Sequence, residues 1–438
     1  RAYLQQLYEF TRRLNPSFNS LKACVLYRLL ELELASGRYD RNLFLEYLKL
    51  PRQIEYVHPR MITELKSRSH IVNLNADYRA QIKLVPIYSD QALVREYLHH
   101  FLLPTESYDA FRPYLRESWL KKQFATVKIL NGVGDAEQWA SMLTPEEYRH
   151  LLSRVDLDFA RTNVEFYADD DQVQIDLYTK NVPTLIVKIF EINTFNYYRT
   201  RQREIDTDIN LDGLVPNSEK TYRYDDEPVL RQRRSFTFED LGNPGVYVVD
   251  FIGGGKSSRA LIRRGRLSMV GQTTVAGQRF RVYDQNQEPV ADASLWISGR
   301  SYEPDDSGVI TVPFSNQPGT QQAIISRGEF SSLQQFGQLG EQYSLEAAMV
   351  VDRESLLSSQ EAKLYIRPGL KITGVPTSVG LLTDVQLVIT STSQSGVSST
   401  KRVDDLVLSD DRETECEFVV PPRLKTLTFE LSAKVENI

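Results

Sequence analysis

The sequence predicts a multidomain α plus β protein, an N-terminal α-helical domain followed by serial antiparallel β-sandwich domains. Three observations lead there. All five histidines fall in the first 150 residues, whereas only three of the 22 glycines do. Charge divides at the same place, with 21 basic and 17 acidic side chains in residues 1–150 against 31 and 41 in the remainder. Hydrophobic spacing changes there too, from steps of three and four to strict alternation, the signatures of helix and strand. A chain of 438 residues also exceeds what one core serves.

Helices are justified first. Leu21, Val25, Leu29 and Leu32 share a helical face, and Gly37 supplies a C-terminal stop. A second helix starts at Asp40, buries Leu43, Phe44, Tyr47 and Leu48, and halts at Pro51. The pair is similar to a tetratricopeptide-type helix-turn-helix, though no repeat of about 34 residues follows it. The helical run Leu93 to Phe101 ends in His99-His100, cations suited to a helix C-terminus. Thr144-Pro145-Glu146-Glu147 is a capping box with proline at the first helical position. Helices therefore extend to residue 155.

Strands follow. Val173, Ile175 and Leu177 alternate with polar residues, and Thr184 to Ile192 is continuously apolar, as a central strand is. Val246 to Phe251 and Ser257 to Arg263 flank Gly253-Gly254-Gly255-Lys256-Ser257, which looks at first like a phosphate-binding loop. That loop needs glycine where Asp250 stands and a helix afterwards, so the glycines are assigned to a hairpin turn and no nucleotide is predicted. Further strands are expected at 278–284, 293–298, 309–314, 343–352, 362–367, 385–392, 415–420 and 427–435. With joints near Leu267 and Pro368, the expected domains are 1–155 helical and sandwiches 156–266, 267–367 and 368–438.

Pro289-Val290-Ala291-Asp292-Ala293 followed by Asp305-Asp306-Ser307-Gly308-Val309 resembles the macroglobulin-type, Ig-like modules of bacterial alpha-2-macroglobulin-like proteins, over residues 160–438. The resemblance implies sandwich modules. It also implies a Cys-Gly-Glu-Gln thioester trap, but this chain has Leu339-Gly340-Glu341-Gln342, and without the cysteine no thioester forms.

The sharpest site motif is Asp208 to Glu219, which meets the EF-hand pattern D-x-[DN]-x-[DN]-G-x₅-E at every specified position. Asp208, Asn210, Asp212, the Leu214 carbonyl and Glu219 are the candidate Ca²⁺ ligands, with Gly213 at the sharp turn. Against calcium stand Leu211 at position 4, Pro216 at position 9 and no helix after Glu219. The competing reading is an Asx-rich connection pinned to a core by Leu211 and Leu214.

Other constellations are sparse. Arg259, Arg263, Arg264 and Arg266, like Arg231, Arg233 and Arg234, are read as strand-face residues paired with nearby acids. Cys24 and Cys416, far apart, predict buried thiols, not a disulfide or zinc site. A net charge of −6 argues against nucleic acid as partner, and no apolar run approaches the length of a membrane helix. No histidine follows His150, and neither G-x-S-x-G nor HExxH occurs, so no enzyme is predicted.

The expected function is a non-enzymatic, protein-binding scaffold segment of a larger surface or envelope protein, extracytoplasmic or at the cell surface. Its partner is another protein or other segments of the same parent. The chain, opening at Arg1 without an initiator Met, is expected to be a piece of a longer protein. Two alternatives are an alpha-2-macroglobulin-like protease inhibitor segment without the thioester and a carbohydrate-binding sandwich, the latter weakened because Trp296 is the sole tryptophan of the sheet half.

Overall fold

A computed structural model describes residues 1–168, 170–404 and 406–435. The chain forms two compact units, Arg1–Ile192 with Asp206–Gly265, and Asn193–Ile205 with Arg266–Ile438.

The first unit opens with the helical domain. Helix Asn19–Ala35 lies at its centre, with Ala23, Val25, Leu26, Leu29 and Leu30 buried, so contact covers more of its circumference than the single predicted face. It ends in a Schellman motif: Gly37, at φ 69°, donates to Leu34 O and Arg38 donates to Glu33 O. Helix Arg41–Leu48 begins where expected, because the Asp40 carboxylate accepts from the N–H groups of Asn42 and Leu43. Helix Gln91–Leu102 packs Val94, Tyr97, Leu98 and Leu102 into the same core as Phe44, Tyr47 and Leu48. The capping box at Thr144 and Glu147 is present and starts helix Pro145–Ser153.

The same unit contains the first sandwich. One sheet orders Asp156–Phe159, Gln174–Lys180 and Gln232–Thr237. The other orders Phe166–Tyr167, Lys256–Arg264, Gly245–Gly253, Thr184–Ile192 and Ser218–Arg223. Ile175, Leu177, Val187, Val249, Phe251 and Ile262 fill the space between them. The hairpin turn is the predicted one, with Gly254 at φ 57° and Gly255 at φ 77°. Glycine suits 254, since at that positive φ a Cβ would also lie 2.8 Å from Val155 Cγ1 and 3.1 Å from Asn181 O.

The sequence places residues 156–266 in one sandwich, yet Asn193–Ile205 leaves it and joins the second unit, where helix Thr194–Arg201 packs on strands Gly319–Arg327 and Phe330–Gln338. Asn193 caps that helix by accepting from Asn196 N, a signal present in the sequence. The sandwich of this unit pairs Gly277–Tyr283 with Ser268–Thr274, Pro289–Val290 and Val309–Val312 in one sheet. Its other sheet orders Arg300–Tyr302, Ser294–Ile297, Gly319–Arg327 and Phe330–Gln338.

A further sandwich is built on the long strand Glu361–Ile372, in which Ala362, Leu364, Ile366, Leu370 and Ile372 are buried in alternation. The joint expected near Pro368 thus falls inside a strand. Thr414–Val419 pairs with 361–366 and Val375–Thr377 with 370–372, leaving Pro368 in the gap between them, where a missing N–H is tolerated. Leu382–Ser393 with Ser398–Asp404 and Leu424–Val435 forms the facing sheet.

Candidate interaction surfaces and the Asp208 to Glu219 loop

Loop 208–219 sits against the outer face of the first sandwich. Ile209 and Leu211 are buried, and Arg259 Nη1 donates to Ile209 O at 2.9 Å and Thr207 O at 3.5 Å. Arg259 Nε also meets Asp250 Oδ2 at 3.4 Å. Asn210 Oδ1 accepts from Asp212 N at 2.8 Å, an Asx turn. Leu214 and Val215 are exposed. Glu219 lies in strand Ser218–Arg223, opposite Lys188, with Nζ to Oε2 at 3.3 Å. Among the described residues, no three or more of His, Cys, Asp and Glu are grouped to hold a metal ion.

Arg231, Arg233, Arg234, Arg259 and Arg263 are ion-paired as predicted, whereas Arg264 is buried and its Nη1 donates to the backbone carbonyl of Asp171 at 3.0 Å. Arg263 binds Glu165 at 2.5 Å, Arg231 binds Asp158 at 3.1 Å, Arg233 binds Asp176 at 2.6 Å and Arg234 binds Asp226. Lys256 of the apparent phosphate loop donates to Val155 O at 2.6 Å. Glu341 accepts from the Tyr343 hydroxyl in the connection between strands. Trp296 meets Phe195 of helix Thr194–Arg201 edge-on at 6.4 Å, so a ring of the chain already occupies that face. Cys24 and Cys416 are buried free thiols, and burial raises the pKa of each.

Two features of the helical domain went unread in the sequence. The first is a buried polar cluster in which Asp90 accepts from the hydroxyls of Tyr47, at 2.7 Å, and Tyr56. Arg52 lies beside it, its guanidinium 4.4 Å over the Tyr47 ring. The second is a groove of about 450 Å³ between helices Glu117–Leu130 and Pro145–Ser153, lined by Arg95, Trp119, Lys122 and His150. Trp119 stacks on Tyr56 at 4.8 Å, and Lys122 pairs with Glu147. Periodicity locates helices; it does not say which exposed faces border a groove.

Fold and surfaces together define a multidomain protein of Ig-like β-sandwiches headed by a helical domain. Three family models match parts of the chain: the actin-binding protein F N-terminal domain matches residues 1–155, the AbpF first immunoglobulin-like domain 185–265, and the AbpF third immunoglobulin-like domain 352–438. Over 448 aligned residues the chain is 33% identical to Actin-binding protein F of Dictyostelium discoideum, with 100% of this chain covered. It spans 19% of that curated relative's length.

Solved structures matched by the chain include native alpha-2-macroglobulin from Escherichia coli spanning domains MG0-NIE-MG1, 10% identical, covering 41% of this chain and 64% of that one at a TM-score of 0.28. A tetra-tandem repeat of a large adhesion protein is 10% identical, covering 62% and 73% at a TM-score of 0.18. The sandwich architecture expected from the macroglobulin resemblance is present in the sheets, while the matching family models are those of actin-binding protein F. The expected extracytoplasmic or cell-surface location is corrected by the same result, because the match along the whole chain is to an actin-binding protein, not to a surface or envelope protein. Among the described residues, no helix is long and apolar enough to cross a membrane.

Proposed function

We propose that this chain is a non-enzymatic, protein-binding scaffold segment of a cytoskeletal protein of the actin-binding protein F type, with actin filaments as its partner. The carrying observation is the identity of 33% along the entire chain, together with family matches in the order helical domain, first Ig-like domain, third Ig-like domain. We assign the filament contact to the helical domain. Its residues 1–150 hold the chain's local excess of basic side chains, 21 against 17 acidic, and Arg95 and His150 border an open groove. Exposed charges of this kind steer association and weaken with salt.

Co-sedimentation with purified actin filaments tests this. Saturable pelleting at about 50 mM salt that weakens toward about 200 mM, and weakens again in Arg95→Glu, is expected. Absence of pelleting at low salt sinks it. A second reading rests on the intact EF-hand spacing of Asp208, Asn210, Asp212, Leu214 and Glu219: the loop takes Ca²⁺ once Glu219 exchanges Lys188 for the ion.

A further inference from the structure

The strand Lys256–Arg264 has one edge that is only partly covered. Its hairpin partner Gly245–Gly253 is joined by the two-residue turn Gly254-Gly255, so the closing pair is Gly253 with Lys256. Alternation along an antiparallel ladder then turns the N–H and C=O of Lys256, Ser258, Ala260 and Ile262 toward the partner, and those of Ser257, Arg259, Leu261 and Arg263 toward the far edge.

That far edge is held at both ends. At one end Arg263 N donates to Glu165 O at 2.7 Å, where the parallel pairing of Phe166–Tyr167 with Arg263 and Arg264 begins. At the other, Lys256 Nζ and Ser258 Oγ donate to the carbonyls of Val155 and Leu157, at 2.6 and 2.7 Å. These side-chain bonds tether strand Asp156–Phe159 without pairing it to the edge. Between the two ends, the backbone groups of Arg259 and Leu261 have no hydrogen-bond partner among the described residues. The Arg259 side chain turns away, to Asp250 and Ile209 O, so it does not shield the edge.

Outside the gap lies a cleft of about 570 Å³. Phe159, Val164, Ile175 and Ala260 give it apolar walls, and Glu96 and Arg161 border it without an ion pair among the described residues. Paired N–H and C=O groups at strand spacing call for a backbone, and the apolar walls call for alternate side chains, the two requirements of strand addition.

We propose that this gap is a docking site for an extended peptide segment of a partner protein. The segment adds about four residues beside Arg259 to Leu261, in line with Phe166–Tyr167. An apolar side chain enters between Phe159 and Val164, and a basic residue faces Glu96. The site lies on the first sandwich and does not depend on the actin reading.

The test pans the full chain against a random seven-residue peptide library, resynthesises the enriched peptides and measures their binding by calorimetry. Leu261→Pro removes the outward N–H and leaves the hairpin bonds of Ala260 and Ile262 in place. Val164→Glu closes the apolar wall from an exposed position. Enriched peptides should alternate apolar and polar residues, lose at least about tenfold in affinity with either variant, and slow amide exchange at Arg259 and Leu261. The proposal falls if no peptide is enriched, or if both folded variants bind as well as the parent. It also falls if the parent forms a dimer that Leu261→Pro abolishes, since a second copy then covers the edge. No actin enters the experiment, so its failure leaves the filament reading untouched.

Discussion

Arg52 and Asp90 face each other in the core of the helical domain, Nε to Oδ2 at 3.4 Å, with side chains 0% and 1% exposed. The pairing is lopsided. Asp90 accepts from two tyrosine hydroxyls, whereas Arg52 donates Nη1 to Tyr47 O and leaves Nε and Nη2 without hydrogen-bond partners. Removing the carboxylate therefore strands a buried cation and two hydroxyls. Removing the cation leaves the carboxylate still held. Asp90→Ala is expected to destabilise the helical domain by about 3–5 kcal/mol, and Arg52→Met by distinctly less. Denaturant melts followed by helical circular dichroism decide it, and equal or reversed costs contradict the asymmetry.

A second prediction concerns acid. The His99 ring receives Asn131 Nδ2–H on Nε2 at 2.8 Å, and because an amide nitrogen only donates, the ring is neutral. Burial, then the charges of Arg231 and His100, push its pKa down to about 4. With the folded value below the unfolded one, the unfolded chain binds the proton first. The stability that His99 contributes is whole above about pH 6.5 and is lost as pH falls toward about 4, a span worth roughly 3 kcal/mol. His99→Gln should flatten the melting temperature over that window. An unchanged slope removes His99 as the cause.

What the sequence made legible follows the reach of each signal. Capping is local, so Asp40, Gly37 and the Thr144 box were readable and stand in the structure. Alternation is nearly as local, and it located the hairpin around Gly254. The helix Thr194–Arg201 was missed because its stretch Thr194-Phe195-Asn196-Tyr197-Tyr198 favours strand by composition, and packing on another sandwich overrides that preference. Pro368 misled for a related reason. A proline ends a strand only where its N–H is required, and the gap between two partner strands is set by tertiary pairing. The buried Arg52 cluster and the open edge at Leu261 depend on residues tens of positions apart, which no local pattern encodes.

Helix Thr194–Arg201 is anchored through its first residue. Thr194 Oγ1 accepts from the buried Ser331 N–H at 2.9 Å, binding the helix start to strand Phe330–Gln338. Thr194→Val keeps the shape and strands that N–H, at an expected cost of about 1–3 kcal/mol. Thr194→Ser keeps the hydroxyl and should recover most of it. Amide exchange at Ser331, faster in the valine variant and near parental in the serine one, is the direct reading. Equal exchange in all three excludes the anchor.

In the Asp208 to Glu219 loop an ion pair holds the carboxylate that a metal ion would need. As folded, Lys188 occupies Glu219 at 3.3 Å, and Asn210 Oδ1 accepts from its own turn. Calcium binding by the EF-hand pattern needs both oxygens released, so Lys188 competes with the ion. Adding Ca²⁺ at about 100 times its dissociation constant would stabilise the chain by about 2.7 kcal/mol, a rise of several degrees in melting temperature. Asp208→Ala and Glu219→Ala should each abolish the rise, since each removes a ligand oxygen. Lys188→Ala frees Glu219 and should tighten binding, an effect that unspecific association with surface acids does not produce. Chelator-treated chain that gives no calorimetric heat with calcium, in both the parent and Lys188→Ala, reduces the motif to a coincidence of spacing in an Asx-rich connection.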